Sequence, residues 1–264
     1  MNDTFNIKRF GWVFKKSVLE RPALMLGLML VTLVITLLTY AIVQSMAGIA
    51  KAQVSAFVFG FLVGGSFMSS SALGYFSSNS SGTSFLMLPA SHLEKWLCAV
   101  LISVVIYAAI YLGFFRLVDI FFVNNYHQGL DPNSPNYQNL YRSVEVFGFN
   151  NEIAKNIFII FFNISRAMLL GSLYFNKVSY IKVALLVCTL VIFTYFANLL
   201  IAGLFFNHID MATPFKSIFL KVGSAIGIVD LPEGVNSVIS FLISYVIPGT
   251  LWLTALIRLK EKEM

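Results

Sequence analysis

Six long apolar runs restrict more than any other feature what this chain can fold into. They cover approximately residues 23–46, 53–75, 95–123, 153–175, 180–206 and 235–258. A bilayer core of about 30 Å needs about 20 helical residues, because each residue advances a helix by about 1.5 Å. The runs are too long and too continuous for the strands of a membrane β-barrel. We therefore expect an all-α, polytopic membrane protein with about six transmembrane helices.

The composition indicates that lipid, rather than water, surrounds most of the chain. Of its 264 residues, 58% are hydrophobic and 11% are charged, and the mean hydropathy is +0.81. In a soluble domain, about a quarter of the residues are charged. The net charge is +6, but the basic residues form no single patch and the sequence has no recognisable nucleic-acid-binding module. Nucleic-acid binding is therefore not expected.

The sequence lacks the common motifs of enzymes and cofactor sites. It has no G-x-x-x-x-G-K-[ST] phosphate loop, no G-x-S-x-G and no H-E-x-x-H. His127 and His208 fall in connections between spans without a matching set of ligands nearby. We expect no catalytic residue, cofactor or metal site in this chain.

The Lys and Arg residues beside the runs predict the orientation in the membrane, because cytoplasmic flanks carry more of them. One side has eleven: Lys8, Arg9, Lys15, Lys16, Arg21, Lys95, Lys177, Lys182, Arg258, Lys260 and Lys262. The other side has four: Lys51, Arg142, Lys216 and Lys221. Both termini are expected in the cytoplasm, which requires an even number of spans.

The segment Phe5–Val18 before the first run has a helical periodicity of its own. At 100° per residue its apolar side chains share one face, and its four basic side chains lie opposite. The apolar positions are Ile7, Phe10, Phe14 and Val18. We expect residues 1–22 to contain an amphipathic helix in the cytoplasmic membrane interface. The alternative is a positively charged tail with incidental periodicity.

The connection at 84–96, between the second and third runs, combines an apolar stretch with a helix start. Phe85–Leu88 is apolar, and Ser91-x-x-Glu94 is the pattern of a capping box. The apolar stretch either docks onto lipid or a partner, or packs beneath the helix bundle. Both alternatives remain open at the level of the sequence.

Two other connections lie on the expected outer side. Residues 124–151 are rich in Asn, Tyr and Pro and predict a small ordered loop. Residues 207–234 are too interrupted to span twice, yet too apolar for a solvated loop. We expect a re-entrant or interfacial helical hairpin there, with its backbone covered by protein or lining a cavity.

Arg166 near the middle of the fourth run is the most costly residue in the apolar segments. A charge at the bilayer centre costs at least about 2.5–3.5 kcal/mol, so it must face a partner or water. With Asn163 it either lines a conduit, where it could contact an anionic substrate, or makes a structural hydrogen bond to backbone or to Asn198. Arg116 and Asp119, one turn apart, are expected to form a local ion pair.

Small residues predict close helix packing in the second run. Gly60-x-x-x-Gly64 lets two helices approach closely, within the chain or at a subunit seam.

These features together resemble the permease subunits of ABC-type exporters of the ABC-2 class. The resemblance rests on the amphipathic segment before six spans, the short connection after the second span, and the broken apolar segment before the last span. Two stretches also look like those of bacterial members of that family: Thr4-Phe5-Asn6-Ile7-Lys8-Arg9-Phe10 and Leu88-Pro89-Ala90-Ser91-His92-Leu93-Glu94-Lys95-Trp96. The motifs are moderately specific, and the family's membrane subunit has no catalytic signature.

The resemblance implies a bacterial inner-membrane permease that forms a conduit as a homodimer or with a similar permease. ATP hydrolysis is then expected on a separate ATPase chain. The coupling segment 84–96 is expected to contact that ATPase through Leu86, Leu88, Pro89, Ser91, His92, Glu94 and Lys95. Two alternatives remain: a membrane scaffold or assembly factor that transports nothing, and an intramembrane lipid-modifying enzyme built around Arg166, Asn163 and Asn198.

Overall fold

The computed structural model of the protein describes residues 5–77, 79–175, 178–206, 209–214, 217–222, 225–230 and 232–262. Six of the described helical stretches are long and apolar enough to cross a membrane. We number them as spans 1 to 6: Pro22–Ala47, Ile49–Ala72, His92–Gln128, Glu152–Tyr174, Ser179–Phe205 and Gly234–Glu261. The prediction of a predominantly helical, multi-pass membrane protein is confirmed. Lys177, His208 and Lys216 lie outside the described residues.

Three spans consist of one helix each, and three contain a π-helical segment. Helices α1 and α2 cover Ile7–Glu20 and Pro22–Ala47. Span 2 is built from α3 (Ile49–Val58), a π segment (Phe59–Gly64) and α4 (Gly65–Ala72). Span 3 is built from α6 (His92–Val100), a π segment (Leu101–Ile106) and α7 (Tyr107–Gln128). Span 6 is built from α11 (Glu233–Phe241), a π segment (Leu242–Val246) and α12 (Ile247–Glu261). The remaining helices are the 3₁₀ turn Gly74–Ser77, α5 (Asn79–Leu86), α8 (Tyr137–Ser143), α9 (Glu152–Tyr174) and α10 (Ser179–Phe205).

Both described chain ends lie at the same end of the bundle, which we call the α1 end. Helix α1 packs on α6 through a small cluster that includes Val13, Ala90 and Cys98. At the other terminus, the Lys262 ammonium lies 5.2 Å from the ring centroid of Phe76, which follows span 2. An even number of crossings between these ends fits the six spans.

The core lies between spans 2, 3 and 4 and is dominated by aromatic rings. Phe57, Phe61, Tyr107, Tyr111 and Phe161 are all at most 1% exposed. The Phe61 ring stacks on Phe161 with centroids 4.1 Å apart. The tyrosine hydroxyls donate to backbone carbonyls of span 2: Tyr107 to Gly60 at 2.7 Å and Tyr111 to Ala56 at 3.0 Å.

Gly60 and Gly64 create the space for this packing. A Cβ at Gly60 would collide with Thr36 Oγ1 and the Tyr111 hydroxyl, and a Cβ at Gly64 with Thr32 and the Tyr107 hydroxyl. The glycines thus pack inside the chain, between spans 1 and 3.

The segment 207–234 was expected to form a helical hairpin, and this expectation is wrong. Its described part forms an antiparallel sheet with strand order β1-β2-β3, namely Ile209–Thr213, Ser217–Val222 and Ala225–Asp230. Short β-branched and aromatic stretches interrupted by glycine favour strands over helices. The sheet lies at the end of the bundle opposite α1, which we call the sheet end.

The connection after span 3 is ordered, but its charged residues do not pair as expected. No ion pair joins Arg116 to Asp119 in the described part of the chain. Instead, Arg116 Nη1 donates to the Phe147 carbonyl at 2.9 Å, and Asp119 Oδ2 accepts from the Phe147 N–H at 2.6 Å. The other oxygen, Asp119 Oδ1, accepts from Tyr40 Oη at 2.8 Å and Gln53 Nε2 at 2.9 Å. A fully buried carboxylate therefore joins spans 1, 2 and 3 to this connection.

Candidate functional site

The carboxylate of Glu94 joins two helix N-termini at the α1 end. Ser91 caps α6, and the reciprocal bonds of the predicted capping box are both present. Glu94 Oε2 accepts from the Ser91 N–H at 2.9 Å. Glu94 Oε1 accepts from the Asn6 N–H at 2.7 Å and from Arg9 Nη2 at 3.1 Å, both at the start of α1. Because helix N-termini carry partial positive charge, one fully buried carboxylate holds α1 and α6 together.

The side chain of Lys95, the next residue, binds the C-terminal end of helix α5. This side chain is fully buried, and Nζ donates to the carbonyl of Leu86 at 2.7 Å. Leu86 is the last residue of α5, where a cation is favourable beside the free carbonyls. Glu94 and Lys95 thus fix α1, α5 and α6 as one unit, which we call the platform (residues 6–20 and 79–100).

Most of the residues predicted to contact an ATPase are not exposed on the platform. Ser91, Glu94 and Lys95 are buried, and His92 is half-buried. Phe85 is buried, and Leu86 and Leu88 pack against the main core, so packing beneath the bundle is the correct alternative for these three. Met87 is 81% exposed, and Pro89 and Leu93 are also exposed. Together with Ser84, these three are the exposed members of the segment 84–96.

A groove of ≈ 310 Å³ lies on the platform between α1 and the loop before α6. Its lining is Arg9, Trp12, Val13, Lys16, Leu88 and Pro89. Trp12 is 71% exposed and lies near Lys15, whose ammonium is 5.9 Å from the ring centroid. The exposed side of α1 therefore combines an aromatic ring with basic groups, as membrane-interface helices do.

Aromatic contacts lead from the platform to Arg166. The ring of Trp96, in α6, meets the ring of Trp252, in α12, edge to face with centroids 5.7 Å apart. The guanidinium carbon of Arg166 lies 3.9 Å from the Trp252 centroid and 5.4 Å from that of Phe162. Stacking on an aromatic face provides favourable surroundings for a cation that is removed from water.

Asn163 and Asn198 do not join Arg166 through hydrogen bonds among the described residues. Asn163 Nδ2 donates to the carbonyls of Ile159 at 2.9 Å and Ile243 at 3.2 Å. Asn198 Nδ2 is buried without a partner in the described part. The expected structural hydrogen bond of Arg166 is therefore replaced by stacking, and the three residues form no bonded polar cluster.

A cleft of ≈ 550 Å³ opens next to Asn163 between span 4, span 6 and the end of β1. Half of its described lining residues have uncharged polar side chains: Asn156, Thr213, Asn236, Ser240 and Ser244. The other described lining residues are apolar, namely four isoleucines and Pro214. Asn163 bonds the carbonyls of Ile159 and Ile243, one from each wall, and so ties the walls together.

No protein-family model matches this chain, and neither a curated protein nor a solved structure is significantly similar to it. The function must therefore be inferred from the platform, the stacked residues and the cleft.

Sequence reasoning missed several residues of these sites. Asn6 was detectable as an N-cap, because it directly precedes the amphipathic helix and accepts from the Lys8 N–H at 2.9 Å. Ser240 and Ser244 have helical spacing in an apolar run, which was also visible. The position of Trp252 over Arg166 depends on the packing of span 6 on span 4 and has no local signal.

Proposed function

We propose that this chain is the membrane-spanning permease subunit of an ATP-driven exporter of the ABC-2 class. In this proposal it lies in the bacterial inner membrane with both termini in the cytoplasm and works as a dimer. A separate ATPase chain hydrolyses ATP and docks on the platform. The conduit runs along the faces of spans 4 and 6.

The observation that carries the proposal is the rigid attachment of the platform to the spans. Glu94 and Lys95 immobilise α1, α5 and α6 relative to one another, and α6 continues through the π segment into α7, the rest of span 3. Force applied at Met87 or Pro89 is thereby transmitted to a membrane helix instead of being absorbed by a flexible loop. A connection that served only to join two spans would not need two buried charges.

The ring contacts among Trp96, Trp252 and Arg166 form a second connection between the platform and the membrane spans. Trp96 moves with α6, and its contact with Trp252 joins it to span 6 and, through Arg166, to span 4. The platform is therefore joined to both of the spans that line the proposed conduit.

Exposed polar groups in spans 4 and 6 favour a conduit over a passive scaffold. Asn156, Asn236 and Ser240 are exposed on spans 4 and 6 of the single chain. Polar side chains within spans normally face protein or water rather than hydrocarbon. A second copy or a water-filled path that covers this face satisfies that requirement. The scaffold alternative does not explain why these polar side chains are exposed.

The proposal is tested by substitution of the exposed platform residue Met87. The chain is purified from its native membrane, and bound P-loop ATPase is identified and quantified by mass spectrometry. Met87→Asp is expected to lower the recovered ATPase at least about tenfold, since an apolar contact is replaced by a charge. The matched control is Met46→Asp. Met46 is 82% exposed and lies at the C-terminal end of span 1, away from the platform. Absence of any P-loop ATPase from the unaltered chain, or equal loss in both variants, contradicts the proposal.

A further inference from the structure

We propose that the cleft between spans 4 and 6 binds an uncharged amphiphile whose headgroup carries hydroxyl groups, such as a lipid with a single sugar. This inference rests on the proposed export function and names the substrate class of the same conduit. The cleft is open, and half of its described lining residues are polar.

The polar wall supplies groups that recognise hydroxyls. Asn156 comes from span 4, Asn236, Ser240 and Ser244 come from span 6, and Thr213 comes from the end of β1. Amides and hydroxyls both donate and accept, so they match the mixed donor and acceptor pattern of sugar hydroxyls. Asn236, Ser240 and Ser244 follow one another at intervals of four, which aligns them along one helix face.

The described lining contains no Asp, Glu, Lys, Arg or His side chain. A phosphate or an ammonium headgroup that entered it would lose water without gaining an opposite charge, which is unfavourable. Arg166 is covered by the Trp252 ring at 3.9 Å and is not among the described lining residues. The described part of the lining therefore favours uncharged headgroups over both kinds of ion.

The apolar wall and the location indicate that the ligand also carries a hydrocarbon chain. Ile159, Ile160, Ile239 and Ile243 line the cleft together with the polar groups. The cleft is open rather than enclosed, and Ile160 and Ile243 are exposed on two membrane-spanning helices. Its volume of ≈ 550 Å³ lies in the range of sites for small organic molecules. A sugar among the polar groups with its chain along the isoleucines uses both walls.

The test uses three photoactivatable amphiphiles with the same diazirine-bearing dodecyl chain and different headgroups: glucosyl, phosphate and trimethylammonium. The full chain is placed in phosphatidylcholine nanodiscs without any ATPase, and labelled peptides are mapped by mass spectrometry. The glucosyl probe is expected to label residues 156–160 and 236–244 at least about fivefold more than either charged probe, the size expected from one net hydrogen bond.

Variants decide whether the cleft itself binds the probe. The double variant Asn236→Leu with Ser240→Leu is expected to lower glucosyl labelling about fivefold. The conservative pair Asn236→Gln with Ser240→Thr is expected to retain it, which excludes misfolding as the cause. Thr250→Leu, on span 6 outside the described lining, is the unchanged control.

Preference for the phosphate or ammonium probe, equal labelling by all three probes, or labelling that the leucine pair leaves unchanged would overturn the inference. Because no ATPase is present, the result is independent of the Met87 experiment. If the glucosyl probe labels the cleft but no ATPase is recovered with the chain in the Met87 experiment, the binding site stands and the exporter proposal is rejected. If an ATPase is recovered but the glucosyl probe does not label the cleft, only the proposed substrate class is rejected.

Discussion

The side chain of Glu94 lies 2.7 Å from the backbone N–H of Asn6, across 88 residues of sequence. The same carboxylate is the acidic partner in the capping box of α6. One residue therefore completes the N-termini of two helices, and the position of α1 depends on the start of span 3. This contact makes α1 part of the fold as well as a candidate membrane-interface helix.

Removal of the Glu94 charge is expected to destabilise the chain. Glu94→Gln leaves at least one buried donor of Asn6, Arg9 or Ser91 without an acceptor, which costs about 1–3 kcal/mol. The apparent melting temperature in detergent should fall by roughly 3–10 °C. Glu261 is also paired with an arginine, but at the surface, at 2.6 Å from Arg258. Glu261→Gln should change the melting temperature little, and similar falls in both variants would contradict a special role of the buried carboxylate.

An alanine at Gly60 is expected to disturb the contact between spans 1, 2 and 3. Its Cβ collides with the side chains of Thr36 and Tyr111, and such overpacking costs about 1–3 kcal/mol. Gly113→Ala, in span 3, is the control because a Cβ there meets nothing within 4 Å. That variant should be neutral or stabilising by up to about 1 kcal/mol, since alanine favours helices over glycine. Thermal unfolding followed by tryptophan fluorescence measures both, and an unaffected Gly60→Ala variant would show that the close packing is absent.

Asp119 is expected to control the order of the connection after span 3. Asp119→Asn replaces one acceptor oxygen by a donor beside Phe147, Tyr40 or Gln53, at a cost of about 1–3 kcal/mol. Limited proteolysis should cut residues 129–151 several times faster in this variant. Asp131→Asn, an exposed position in the same connection, should cut at the rate of the unaltered chain. Equal rates in all three proteins would mean that Asp119 does not hold the connection.

The stacking of Arg166 is expected to distinguish arginine from lysine. Arg166→Lys keeps the charge but loses the planar group over Trp252, with an expected loss of about 1–2 kcal/mol. Arg258 also covers an aromatic ring, Tyr174, at 4.8 Å, but at the surface. Arg258→Lys should lose less than about 0.5 kcal/mol, and equal losses would mean that ordinary surface contacts explain both.

The features that could be predicted from the sequence are those that depend on local pattern and solvent. The first span was expected at 23–46 and lies at Pro22–Ala47, because hydrocarbon thickness sets its length. The Ser91–Glu94 capping box was predicted correctly, since its two bonds join residues three positions apart.

Features that depend on distant contacts could not be predicted. Arg116 and Asp119 have the spacing of a helical ion pair, yet both bond to Phe147, whose position is set by the fold of the connection. The strands at 209–230 form because three short segments pair with one another, and the sequence pattern alone also allowed a hairpin of helices. Trp252 has no polar neighbour in sequence that indicates a cation above its ring.

Side chains from other spans hold two of the described π segments. The Tyr107 hydroxyl donates to the Gly60 carbonyl in span 2, and the Asn163 amide donates to the Ile243 carbonyl in span 6. A π turn contains one surplus residue, so a π turn that migrates along its helix rotates each residue it passes by about 100°. The Asn163 bond therefore restrains the π segment of span 6 and, with it, the helix face on which Ser240 and Ser244 line the cleft.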